Sequence, residues 1–176
     1  MMTSITTEKK NNGGYSLIEL LVILAIVSVF TGFIGYNVAV TNSFRARECA
    51  KDIATDIQSL KVTTLAKSAT VGDTKMILYK TGKEIHRKFV YKDGTEDDKL
   101  LVKRVTVRHG IKGGLMKDLG DIGSGSEMTV IFNRASGSMV DAGGVVSTTN
   151  YVEVFGTADK KYTVELVPST GKVKQK

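Results

Sequence analysis

Glu19 is the single charged residue between Tyr15 and Val40. An ionised side chain inside so apolar a run is costly in lipid, and residues of that kind usually mark function. Tyr15 stands four positions earlier, which places it on the same helix face as Glu19. Before it come Gly13-Gly14 and the two lysines Lys9 and Lys10. Gly14 has no side chain, so the backbone there admits a close approach. Other reactive types are sparse: one Cys, two His, one Pro and no Trp. One Cys excludes a disulfide scaffold within the chain and any multi-Cys zinc site. Cys49 falls on the apolar stripe of a helix and reads as a small buried apolar residue. His86 and His109 lie in or beside strands without triad spacing and read as surface histidines. Asp118, Asp121 and Asp141 match no calcium-loop spacing and read as a solvated loop. The glycines of 110–126 lack the phosphate-loop pattern. The chain therefore reads as no enzyme, with no cofactor and no metal. Lys103, Arg104 and Arg108, with the tail Lys172, Lys174 and Lys176, form a candidate DNA-binding patch. The alternative is a solvated edge strand and a frayed terminus.

These residues need elements to hold them. The 176 residues suit one compact domain with an appendage. Hydrophobic content of 41% and charged content of 24% are ordinary globular usage. They exclude wholesale disorder, collagen-like and polytopic membrane classes. The net charge of +7 permits anionic partners without requiring them. From Leu20 to Val40 no residue is charged. As a helix that run is about 32 Å long, enough to span a bilayer core. A buried soluble helix is the rival reading. A secretory signal peptide fits worse: the run is too long, and Asn37-Val38-Ala39 lacks a small residue at its first position. A plain signal anchor explains neither Glu19 nor Gly13-Gly14. Charge leaves the topology open, because Lys9 and Lys10 favour a cytoplasmic N-terminus while Arg45, Arg47 and Lys51 pull the other way.

Beyond the run, Ala46, Cys49, Ala50, Ile53, Ile57, Leu60 and Leu65 recur every three or four residues. That spacing predicts an amphipathic helix with a narrow apolar stripe and Lys51, Asp52, Asp56 and Lys61 on its polar face. With no Pro or Gly in between, one helix over about 16–69 is the simplest reading. The period then changes to two, predicting strands over 76–80, 88–92, 100–108, 128–132, 151–155 and 161–167. In the last, Tyr162, Val164 and Leu166 face in. Residues 110–126, with six glycines, read as a loop. The fold class is α+β: a long N-terminal helix whose stripe is covered by an antiparallel sheet. The divisions are 1–14 as a leader, 15–40 as the apolar half of the helix, 41–70 as its amphipathic half and 71–176 as a β-rich domain.

The segment Gly14-Tyr15-Ser16-Leu17-Ile18-Glu19-Leu20-Leu21-Val22 resembles the N-terminal signature of type IV pilins and type II secretion pseudopilins. That family has a short basic leader ending in Gly, then an aromatic or apolar residue, a small hydroxyl residue, Leu, Ile and a Glu. Phe is commoner than Tyr at the first mature position. The resemblance implies that a prepilin peptidase cuts after Gly14 and N-methylates Tyr15. It also implies that Glu19 acts in assembly with other pilin or pseudopilin subunits. The chain would then sit in the cytoplasmic membrane by a single pass, with its C-terminal domain outside the cytoplasm, before joining a filament.

Two further segments, Val130 to Ser138 and Tyr162 to Val173, resemble the paired segments of the GspH/FimT minor pseudopilins. There an apolar-Phe strand leads to a Gly turn, and a late strand ends in Thr-Gly-basic-Val. No paired cysteines near the C-terminus suggest the disulfide-looped major type. The expected function is a structural subunit of a type II secretion pseudopilus or a type IV pilus. The alternatives are a DNA-binding minor pilin of a competence system and a signal-anchored extracytoplasmic enzyme.

Overall fold

The computed structural model describes residues 16–66, 74–156 and 160–176, and the side chains of 33–39 lie outside that description. The order is one helix and ten strands: α1 (Leu17–Ala66), β1 (Thr74–Thr81), β2 (Glu84–Tyr91), β3 (Glu96–Lys103), β4 (Thr106–Gly110), β5 (Met116–Asp118), β6 (Met128–Phe132), β7 (Met139–Val140), β8 (Tyr151–Phe155), β9 (Lys161–Val167) and β10 (Lys172–Gln175). The chain divides into two compact units between Asn37 and Val38. All ten strands and the second half of α1 belong to the second unit.

The strands form two antiparallel sheets rather than the one expected. One has the order β3-β2-β1-β6-β7, the other β10-β9-β8-β4-β5. The chain visits the first sheet, then the second, and then each again. The expected strand over 100–108 is where it first crosses. Arg104 adopts φ 62° and breaks the strand into β3 and β4. The buried positions slip by one residue across this break, from Val102 to Val105 and Val107, but Leu101 is apolar in the same phase as Val105 and Val107 and hides the slip in the sequence. The loop expected over 110–126 contains β5, which pairs with β4. The C-terminal tail is not frayed: β10 pairs with β9 from Lys172↔Val167 to Gln175↔Val164.

The stripe of α1 is the spine of the core. Ala46, Cys49, Ala50, Ile53, Ala54, Ile57 and Leu60 are buried against Met76, Leu78 and Ile85 of the first sheet and Val107, Val154 and Val164 of the second. Burying each of Ile53, Ile57 and Leu60 contributes about 1.5–3 kcal/mol. Leu65, expected on the stripe, is exposed. Polar clamps fix the helix to both sheets. Arg87 on β2 reaches Asp56 on α1 and Asp97 on β3 while lying 4.1 Å from the Phe89 ring centroid. Burial raises the Asp56 pKa, and the Arg87 and Lys99 charges oppose that shift. The Lys61 ammonium donates to the Thr170 carbonyl in the turn between β9 and β10, at 2.7 Å.

That turn brings together the two segments that resembled minor pseudopilins. The Met139 amide donates to the Pro168 carbonyl at 2.7 Å. Gly171 sits at φ +59°, and a Cβ there would lie 2.3 Å from the Gly137 carbonyl oxygen and 2.6 Å from Cε1 of Phe132. Only glycine fits that left-handed, crowded position.

Candidate functional site

The site begins at the first turn of α1. Its first four amides have no helical partner. Ser16 and Glu19 supply two acceptors by exchanging bonds: the Glu19 amide donates to Ser16 Oγ at 3.2 Å, and the Ser16 amide donates to Glu19 Oε2 at 2.8 Å. This is a capping box, and a carboxylate in the first turn also complements the positive end of the helix dipole. The sequence reading singled out Glu19 but missed this role. The signal was present, since Ser-x-x-Glu ahead of an apolar run is the capping-box pattern. Gly14 and Tyr15, the expected cleavage and methylation positions, lie outside the described residues.

From Leu17 to Phe30, apart from Glu19, α1 is apolar on nearly every side and uncovered. Leu17 is 83% exposed, and the other large apolar residues from Ile18 to Phe30 are all at least half exposed. The hydroxyls in this stretch bond within the helix: Ser28 Oγ donates to the Leu24 carbonyl at 2.8 Å and Thr31 Oγ1 to that of Val27 at 2.7 Å. A helix apolar all round belongs inside protein or lipid. Among the described residues, no helix is long and apolar enough to cross a membrane. Within the uncharged run to Val40, the side chains of 33–39 lie outside the description.

The candidate basic patch is spread over both sheets. Lys103 ends β3 and pairs with Glu84. Arg104 lies between β3 and β4, and Arg108 on β4 faces Asp118 at 3.2 Å. Lys172 and Lys174 are on β10, and Lys176 follows them, pairing with Glu165 at 3.4 Å. Strands β9 and β8 separate β10 from β4, so Arg108 is not brought to the tail.

The remaining singled-out residues have structural partners. Cys49 is buried, and desolvation, helped by the Asp52 charge, pushes its thiol up to about 12. His109 is buried rather than on the surface, with Nε2 3.0 Å from the Ser126 carbonyl. His86 stacks on Tyr79 and lies within 3.4 Å of Glu84 and Asp98. Asp141 Oδ1 accepts from the Gly143 and Val145 amides, each at 2.9 Å, and so shapes its own turn.

A long N-terminal helix packed on antiparallel sheets, its capped apolar start left bare, defines a pilin-like architecture. Residues 9–35 match the family model described as the prokaryotic N-terminal methylation motif. That stretch holds Gly14, Tyr15 and Glu19 and supports a type IV pilin-like substrate of a prepilin peptidase. No curated protein and no solved structure matches the chain.

Proposed function

We propose that this chain is a structural subunit of the minor pseudopilin or pilin kind, similar to GspH/FimT proteins, and not an enzyme. Its cleavage after Gly14 and N-methylation of Tyr15 precede assembly into a type II secretion pseudopilus or a type IV pilus. Before assembly it is anchored in the cytoplasmic membrane by the run ending at Val40, with the two-sheet domain outside the cytoplasm. One observation carries this reading: the methylation motif leads without a break into a capped, apolar and uncovered helix. Such a surface requires lipid before assembly and neighbouring helices afterwards. The contact between the Gly137 and Gly171 turns supports the GspH/FimT likeness, because it joins the two segments that carry the resemblance.

Co-expression with a prepilin peptidase tests the proposal. Mass spectrometry is expected to find N-methylated Tyr15 at the new terminus, and Gly14→Leu to leave the precursor uncut. An intact leader on the parent chain beside an active peptidase sinks the proposal.

A DNA-binding minor pilin is the second reading. It is favoured by Lys172 and Lys174, which are exposed on β10. A gel shift that weakens steeply with salt and is lost in Lys172→Gln with Lys174→Gln would support it.

A further inference from the structure

Two open grooves flank α1 shortly after the uncharged run. One, of about 750 Å³, lies among Phe44, Arg47, Glu48, Lys51, Tyr162 and Lys176. The other, of about 550 Å³, lies among Arg45, Glu48, Leu100, Lys103 and Arg104. Glu48 lines both, so this turn of the helix is the wall between them. Six bases thus gather around one lining carboxylate. Lys103 and Lys176 have outside partners in Glu84 and Glu165. Arg45, Arg47, Lys51 and Arg104 are exposed and form no ion pair among the described residues.

Arg104 adds an independent observation. It is the one non-glycine residue with positive φ among those described, at 62°. A β-carbon is disfavoured there, and glycine would sit without strain. A long cationic side chain held on such backbone points to use of the side chain.

The apolar neighbours narrow the class of ligand. Phe44 is 61% exposed and Leu100 39% exposed beside these bases. Cations next to bare apolar surface suit a membrane interface, where the charged heads meet phosphate and the apolar bodies meet the acyl boundary. A duplex backbone is bound chiefly through its charge.

Position in the chain agrees. Arg45 lies five residues after Val40, the end of the uncharged run. With a cytoplasmic N-terminus, Arg45, Arg47 and Lys51 emerge on the far side of the membrane, against the positive-inside bias. Bases kept there need a counter-charge.

We infer that the two grooves bind the phosphate groups of anionic phospholipids at the extracytoplasmic face of the membrane. That contact holds the two-sheet domain on the bilayer until the subunit is drawn into a filament. The inference rests on the membrane-anchored reading given above.

The test is hydrogen–deuterium exchange on the full chain in nanodiscs of phosphatidylcholine alone or mixed with phosphatidylglycerol. Phosphatidylglycerol is expected to slow exchange several-fold across residues 44–51 and 100–104. Each lost base should weaken the attraction about fivefold, the equivalent of about 1 kcal/mol per base near an anionic surface. Arg45→Gln with Arg104→Gly should therefore remove most of the protection, while Arg104→Gly leaves the melting temperature at or above that of the parent. Lys117→Gln with Lys160→Gln removes the same charge elsewhere and should change nothing. Equal exchange in the two discs overturns the inference and leaves the membrane reading standing. Failure of the chain to enter either disc overturns both. Equal protection by inorganic phosphate or by a short DNA duplex, added to phosphatidylcholine discs, overturns it in favour of a free anion or a nucleic acid.

Discussion

At the start of α1 one carboxylate has an observed use and a proposed one. Glu19 closes the capping box with Ser16, and in the proposed filament it also offers a charge to the amine of a neighbouring mature terminus. Substitutions separate the two. Glu19→Ala removes both, costing about 1 kcal/mol at the helix start. Glu19→Gln keeps an acceptor for the Ser16 amide, since glutamine also closes a capping box, but removes the charge. If inter-subunit pairing governs assembly, Gln should be cleaved and methylated normally yet enter filaments as poorly as Ala. If capping governs it, Gln should enter like the parent. The fraction of each variant in sheared filaments, with cleavage checked in the same cells, decides between them. Glu19 was legible in the sequence because a charge inside an apolar run has few reasons to be there. Its bond to Ser16 was legible only through the four-residue pattern.

At the scale of elements, the two glycine turns make a graded test. Gly171→Ala meets left-handed strain and a backbone oxygen that cannot move aside, so a loss of about 2–4 kcal/mol is expected. Gly137→Ala meets only the flexible end of Lys61 at 3.4 Å and should cost about 1 kcal/mol. Thermal melts of the two variants in detergent check the order, and equal losses would show that the turn contact carries no weight. Strands β6, β8 and β9 were readable from alternation alone, and their bounds agree with the sequence. The start of β3 was not, because Glu96-Asp97-Asp98-Lys99 has poor strand propensity. It is held by partners on β2, Lys88 for Glu96 and Arg87 for Asp97, and by Tyr79 one strand further on, on β1, for Asp98. Such cross-strand pairs become visible only once the register is known. The turn at Arg104 carries no glycine, so nothing local announced the crossing between sheets.

At the scale of the whole molecule, chain crossings tie the two sheets, and exposed ion pairs within each sheet add a small pH-dependent contribution to stability. The hydrogen bond from Lys112 holds Glu165 below the usual glutamate range, and the same bond raises Lys112. A lowered acid contributes stability above its unfolded value of 4.5, lost as pH falls through the folded one. A raised base contributes below its unfolded value of 10.5, lost as pH rises through the folded one. The melting temperature of the parent should therefore exceed that of Glu165→Gln by a small margin across the neutral range. The gap should close at both extremes, and a gap independent of pH would contradict the assignment. The α+β class could be read from the change of period after α1, but the division into two sheets could not, because burial pattern does not say which strand lies beside which. That division also sets a schedule. The stripe from Ala46 to Leu60 is made early, while Val164 and Leu166, which cover part of it, come near the end of the sequence. A chain delivered N-terminus first thus exposes its spine until β9 emerges. Closure of the second sheet is then a late event of synthesis, made only after most of the chain has appeared.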